Sequence, residues 1–285
     1  MADAIIGASN EVDATKQDLI AALVQKELKF KAKLAPMATD VSRFAVKGSK
    51  TVSFPKLGSF TVTNRAAGAP ADAASISSTA DQLDLSFVAH INYIVDPAEA
   101  IESVLDWELE CASRAASAHA RYVDSQLLGV LETNGQALGS VTGDVSKSNF
   151  LTMRKTLLEN DADLDNLLFI APPAQEAVML GITEFVDADK YGSSNIPNGV
   201  IGRLYGVDCM IHNGITTSDR YHMFDRSALY IAFQVMPTYG EQKEVSYGPE
   251  AMRVAIEQKF GVKAGQLGEK SLGSTVSALI VSDGN

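Results

Sequence analysis

Residues 96–135 constrain this chain more than any other part of it. Asp-Pro-Ala-Glu opens the stretch, a run with one apolar stripe follows, and Asn-Gly closes it. The stripe reads Ile101, Leu105, Leu109, Ala112, Ala116, His119, Val123, Leu127 and Val130. Its spacings of three and four are the period of an α-helix. Asp96 suits the N-cap, Pro97 the first helical position, and Glu99 a capping box. Asn134 and Gly135 supply a left-handed stop. One helix over Pro97–Thr133 would span roughly 55 Å at about 1.5 Å per residue. That is longer than a compact domain of this size is wide. The pattern predicts a strut, suited to a protein built to span an assembly.

The preceding segment says the same in β language. Leu83, Leu85, Phe87, Ala89, Ile91, Tyr93 and Val95 alternate with mostly polar residues, among them Asp84, Ser86, His90 and Asn92. This period of two predicts one strand of roughly 43 Å over 83–95. Ordinary strands have about five or six residues. A strand this long projects from its domain or runs along the whole of an edge.

The 285 residues suffice for one large domain or two small ones, and 46% are hydrophobic, enough for a substantial core. A formal charge of −11 disfavours specific nucleic-acid binding, which needs a basic footprint. Cys111 is placed in the helix and Cys209 in a strand, so no disulfide framework is expected and a reducing compartment is the simpler reading. No run of apolar residues is long enough for a membrane-spanning helix. The first residues lack the basic region of a signal peptide. Charge is unevenly spread. Lys16, Lys26, Lys29, Lys31 and Lys33 outnumber the acids near the N-terminus, whereas the long helix carries Glu99, Glu102, Asp106, Glu108, Glu110, Asp124 and Glu132 against Arg114 and Arg121. Both are solvated faces, or a basic arm lies on an acidic strut in the same or a neighbouring subunit.

Residues 15–33 read as a short helix with Leu19, Leu23 and Leu28 inward. Residues 50–63 read as a hairpin, with Val52 and Phe54 before a Pro-Lys-Leu-Gly-Ser turn and Phe60 and Val62 after it. Residues 66–80 offer little to bury and read as a mobile tip. Hairpin, tip and long strand together make an extended two-stranded arm. Beyond Gly143 the pattern is mixed α/β. A helix is expected over 148–159, a strand buried on both faces over Leu167–Ala171, and a short helix over Ala174–Leu180. A polar loop spans 183–200. Strands are expected around Val207–Ile211, over Ala228–Val235, over Met252–Val262 with the alternation broken at Gln258, and over Val276–Val281. Asp225–Ser227 reads as a turn.

The residues of types that carry chemistry do not converge. Asp161, Asp163 and Asp165 resemble the start of a calcium loop, but Asn166 stands where the turn needs Gly and Pro172 where a bidentate Glu is required. Cys209 and His212, with His222 nearby, have a zinc-like spacing, yet residues three apart on a strand point to opposite faces. Gly199, Gly202 and Gly206 lack the start of a dinucleotide fingerprint. No phosphate loop and no nucleophile elbow are present. Tyr230, Phe233, Phe169 and Leu168 read as core, and Trp107 as packing on the domain behind the helix.

The order of these parts is a basic arm, an extended segment opening with Gly48, Thr51, Val52, Phe54 and Pro55, a long strand, an Asp-Pro-capped long helix, then a mixed domain. In that order the chain resembles the major capsid proteins of tailed bacteriophages, with the Hong Kong 97-like fold. The Phe224–Leu229 stretch and the Arg114–Asp124 region are similar to segments such proteins carry. The resemblance implies an α+β fold in five parts. They are an N-terminal arm over 1–40, an extended E-loop and peripheral-domain strand over 41–95, the spine helix of the peripheral domain over 96–143, an axial domain over 144–242, and return strands of the peripheral domain over 243–285. It implies a structural protein, not an enzyme, with no cofactor and no metal. Copies would assemble into hexamers and pentamers of an icosahedral head around double-stranded DNA, located in the virion and built in the host bacterial cytoplasm. Lys26, Lys29, Lys31, Lys33, Val52, Phe54, Phe60 and Val62 become candidate inter-subunit contacts. The arm begins within about fifteen residues of Met1, so a separate scaffolding protein is expected, along with a portal and a decoration or cement protein. Contact with packaged DNA would be non-specific, and no membrane is involved. Lys50 and Lys56 lie in the arm, but no motif matches them to a cross-linking partner. Two alternatives stand beside this reading: an encapsulin-like nanocompartment shell, and a cytoplasmic α/β enzyme centred on residues 144–240.

Overall fold

The computed structural model describes residues 32–57, 64, 67, 78–95, 107–138, 143–160, 162–182, 200–215, 220–247, 251–265 and 280–283. Twelve strands lie among them: β1 (Thr39–Asp40), β2 (Thr51–Leu57), β3 (Ser78–Asp84), β4 (Phe87–Val95), β5 (Gln136–Leu138), β6 (Leu167–Ala171), β7 (Val200–Leu204), β8 (Val207–Ile211), β9 (His222–Asp225), β10 (Leu229–Lys243), β11 (Met252–Ala264) and β12 (Ile280–Asp283). The α-helices are α1 (Trp107–Asn134), α2 (Lys147–Glu159) and α3 (Glu176–Leu180). A four-stranded sheet has the order β1-β10-β11-β4, a six-stranded sheet the order β5-β12-β9-β6-β8-β7, and β2 pairs with β3 alone. No helix among the described residues is long and apolar enough to cross a membrane.

Helix α1 joins the two larger sheets. Its 28 described residues span about 42 Å, and residues 96–106, where the helix was expected to begin, lie outside those described. The first half of its stripe is built from small residues. Ala112, Ala115 and Ala116 pack against Val254, Ile256 and Tyr239 of the four-stranded sheet. The second half is built from large ones. Val123, Leu127, Leu128 and Leu131 enter the main core with Phe150, Phe169 and Phe224. Small side chains let backbones approach, and branched ones fill the wider space under the six-stranded sheet.

In the six-stranded sheet β6 and β8 lie where the sequence placed them, whereas β5, β7 and β9 were not expected and β12 continues past Val281 to Asp283. All five residues of β6 are buried, as a continuous apolar run between β9 and β8 requires. Ser146 caps α2, its side chain accepting from the Asn149 N–H, and Phe150, Met153 and Leu157 face inward. The turn after β9 is a 3₁₀ segment, Arg226–Ala228, through which the chain crosses to β10 and the other sheet.

Three expectations need correction. The 83–95 strand is two strands, broken at Leu85–Ser86, although Leu83, Leu85 and Ala89 keep the alternating burial across the break. The partner changes there: β3 lies on β2, β4 on β11. The 50–63 hairpin is replaced by a longer-range pairing in which Pro55 opposes Ala80 and Leu57 opposes Ser78, so Pro55–Leu57 continue the strand and Ser78–Ala80 belong to β3, not to a tip. Pro55 is tolerated because a two-stranded ribbon has only edges. The one long strand expected around Gln258 is present: β11 runs unbroken from Met252 to Ala264. The strand expected to end at Val235 continues to Lys243, with register shifts between Phe233 and Thr238 that accommodate Pro237. Ala32 and Lys33 are not helical; the rest of the 15–33 helix, the 183–199 part of the polar loop and residues 266–279 lie outside the described residues.

Candidate functional site

The features that could serve assembly are the N-terminal segment, the β2–β3 arm and the seams holding them to the strut. The first seam is centred on Asp124. This carboxylate sits on α1, is buried, and accepts three backbone hydrogen bonds from the incoming chain. The Lys33 N–H donates to Oδ2 at 2.9 Å, and the Leu34 and Ala35 N–H groups to Oδ1 at 3.2 Å each. A buried carboxylate is costly unless its oxygens are satisfied in this way. Leu34, wholly buried, anchors the same segment in the main core.

On its other side Asp124 meets His212, with Nε2 3.3 Å from Oδ2. The Gly214 N–H donates to His212 Nδ1 at 3.0 Å. Nδ1 is therefore the acceptor, and Nε2 carries the proton that faces the carboxylate. A Cβ on Gly214 would fall 2.8 Å from His212 Nδ1 and from Leu128 Cδ1, so the tight turn requires glycine. One carboxylate thus ties together the N-terminal segment, the strut and the loop after β8.

The arm is fastened at its base. Val52, Leu83 and Leu85 pack with Val41, Tyr230 and Ala232. The Gln234 Nε2 donates to the carbonyls of Val46 and Ser49, at 2.9 and 2.7 Å, and Lys263 Nζ to the carbonyl of Gln82 at 2.6 Å. The β3–β4 junction lies directly on Gly261: a Cβ there would collide with the Asp84 carbonyl oxygen and stand 2.7 Å from Leu83 Cδ2. Beside this base Phe44 and Val46 are 46% and 68% exposed, with the Arg43 guanidinium 4.5 Å from the Phe44 ring centre.

Of the residues singled out in the sequence, Val52 is buried within its own chain, so its apolar contacts are internal. Phe54 lies on β2 opposite Asp81; its side chain, like Phe60, Val62, Lys26, Lys29 and Lys31, falls outside the described residues. Lys33 has an exposed side chain, and its backbone rather than its ammonium group makes the contact with Asp124. Asp124 is therefore no part of a solvated acidic face. Periodicity did hold a signal for it, since an acid next to Val123 in the stripe falls on the buried side.

Among the described residues, several of the titratable groups have local structural roles. Asp163 caps a short 3₁₀ turn, its carboxylate accepting from the Asp165 N–H. Burial pushes the Cys209 thiol up to about 12, the reverse of an activated nucleophile. Asp208 bridges Arg203 and Arg226, at 2.8 and 2.6 Å, and so braces the β9–β10 crossover. Among the described residues no group of three His, Cys, Asp or Glu side chains is placed to hold a metal ion.

No family profile matches the sequence, and no curated protein matches it. Solved structures do match, over nearly the whole chain. A structure from Mycobacterium phage Che8 superposes with a TM-score of 0.68 at 20% identity, covering 88% of this chain and 90% of that one. The mature capsid of bacteriophage PhiM1 gives 0.63 at 11% identity, covering 88% and 86%. A virus-like particle from Pyrococcus furiosus gives 0.61 at 11% identity, covering 94% and 98%. The chain is a mixed α+β protein that shares its fold with phage capsid structures.

Proposed function

We propose that this chain is a major capsid protein, a structural subunit that assembles with copies of itself into a closed shell. The observation that carries the reading is coverage: likeness to capsid structures extends over about nine-tenths of both chains, so no additional domain needs a separate explanation. The architecture supports it. A strut about 42 Å long serves as a rigid spacer between two sheets, and a two-stranded arm is secured at its base beside the four-stranded sheet.

On this reading 1–40 is an N-terminal arm, 41–95 an extended loop overlapping the next subunit, 96–143 the spine helix, 144–242 the axial domain and 243–285 the returning peripheral strands. Lys26, Lys29, Lys31, Lys33, Phe54, Phe60 and Val62 contribute inter-subunit contacts, whereas Val52 anchors the arm in its own chain. The shell is an icosahedral phage head of hexamers and pentamers around double-stranded DNA, assembled in the host with separate scaffolding, portal and decoration proteins. The chain's charge of −11 would keep contact with DNA weak and non-specific.

Electron microscopy of the purified protein, alone and with its scaffolding partner, tests the proposal. Closed shells or hexameric and pentameric rings are expected. A stable monomer under both conditions at high concentration would overturn it. The match to a virus-like particle favours one second reading, a shell around protein cargo. Particles that co-purify with a protein and no DNA would select it.

A further inference from the structure

Along β11, Val254, Ile256, Gln258 and Phe260 share one face and are all buried. Helix α1 advances over them in step. Ala112, Ala115 and Ala116 meet Val254 and Ile256, His119 meets Gln258 and the Ile256 carbonyl, and the Tyr122 ring stands edge-on to Phe260 with centroids 5.9 Å apart. Every contact in this ladder is apolar except those that His119 makes with Gln258 and the Ile256 carbonyl. In the sequence His119 is one member of the helical stripe and Gln258 a break in the strand alternation, and the fold sets the two against each other.

The contact is unsettled. His119 and Gln258 are each 1% exposed, yet neither ring nitrogen of His119 and neither amide atom of Gln258 reaches hydrogen-bond geometry with a partner. Buried polar groups are normally paired. A cleft of about 340 Å³ opens beside the ring along the outer edge of β4, walled by Val88, His90, Ile91, Ala118 and Tyr122. Val88 is 58% exposed, so the cleft reaches solvent.

We propose that the His119–Gln258 contact is a proton-operated catch between the long helix and the four-stranded sheet. With the imidazole neutral, α1 closes on β11. Once protonated, the ring turns into the cleft to reach water, and helix and sheet part at that point. Burial already holds the imidazole below its ordinary range. The open form therefore takes up the proton first, and acid favours opening. One turn away on α1 lie Ala115, Ala116, Tyr122 and Val123. On β4, His90 lines the same cleft as His119 and stands in register with Glu257, whose sheet face Lys259 shares. On β10, Tyr239 and Glu241 are hydrogen-bonded to each other and sit across from Ile256 and Val254.

Hydrogen–deuterium exchange on the full chain, corrected for intrinsic rates, tests this between about pH 7.5 and about pH 5. In a His222→Gln background, which removes the separate acid response of the main core, segments 112–123 and 254–260 should lose protection by about tenfold or more on acidification and regain it on return. His119→Gln added to that background should abolish the change. An unchanged His222→Gln protein, or the same loss once His119→Gln is added, would overturn the proposal. Should either variant fail to fold, the imidazole NMR titration of the wild type decides. A His119 resonance titrating in the ordinary histidine range, with protection unaltered, also overturns it.

Discussion

Asp124 does at one position what a longer interface would otherwise have to do. Its two oxygens collect three backbone N–H groups and face His212, so removing the charge leaves buried donors without an acceptor. Asp124→Asn should cost roughly 2–4 kcal/mol in urea unfolding, with the amides of Lys33–Ala35 the first to lose exchange protection. Unchanged protection there would show that Leu34 alone holds the segment. Glycines give a second residue-scale contrast. Gly261→Ala forces the new methyl onto the Asp84 backbone, whereas Gly240→Ala meets nothing nearer than 3.9 Å. The first should cost at least about 1–3 kcal/mol and the second less than about 0.5 kcal/mol. His222 adds a pH dependence. Burial, with the charge of Arg220 adding to it, pushes its imidazole down to about 4 from an ordinary 6.5. The native state keeps it neutral while the unfolded chain takes the proton first. Its contribution is complete above about pH 6.5 and is lost as pH falls toward about 4, roughly 3 kcal/mol in all. Denaturant midpoints measured across that window should fall less steeply in His222→Gln.

At the level of elements, α1 divides its work by side-chain size. The alanines of its first half set a close approach to β11, so enlarging one should push helix and sheet apart. Ala116→Leu is expected to cost about 1–3 kcal/mol, while Leu127→Ala, in the main core, should cost about 2–5 kcal/mol through a cavity. Equal, negligible effects at both sites would mean that neither face is packed as described. The β3–β4 junction is where one alternating pattern serves two sheets. Burial alternates without interruption across Leu85 and Ser86 while the hydrogen-bonding partner changes. The junction can bend this way because Gly261 leaves room for the Asp84 backbone.

For the whole molecule, the shell reading predicts that the arm is dispensable for folding and needed for assembly. Its base carries the contacts to the rest of the chain. A variant lacking residues 50–80 loses Val52 from that base but should keep the main core, giving a folded, assembly-defective protein by circular dichroism and sedimentation. Normal shells from that deletion would remove the arm from the mechanism. The basic N-terminal segment is expected to act electrostatically between subunits. Replacing Lys26, Lys29, Lys31 and Lys33 with Gln should lower assembly yield at low salt. The deficit should shrink as salt rises, since exposed charges are screened beyond about 8 Å at physiological ionic strength. Identical yields across a salt series would leave those lysines as a solvated face.

The sequence by itself determined the elements whose signal is a period. The apolar stripe of α1, the continuous apolar run of β6, the alternation through β4 and β11 and the helix over 147–159 were all legible, because the burial of one face imposes its spacing on neighbouring residues. The sequence order also carried the likeness to capsid proteins. What only the tertiary structure decided are contacts between residues distant along the chain. Pro55 and Ala80 pair across a segment that looked like a turn and a tip, because strand pairing depends on which edge is free, not on local composition. Asp124 looked like one more acid on a charged helix, and its role depends on amides 89 to 91 residues away. His119 was one member of the helical stripe, and Gln258 a break in the alternation of a strand. Only packing the helix on the strand shows that the two occupy one place, since periodicity records which face is buried but not what it is buried against.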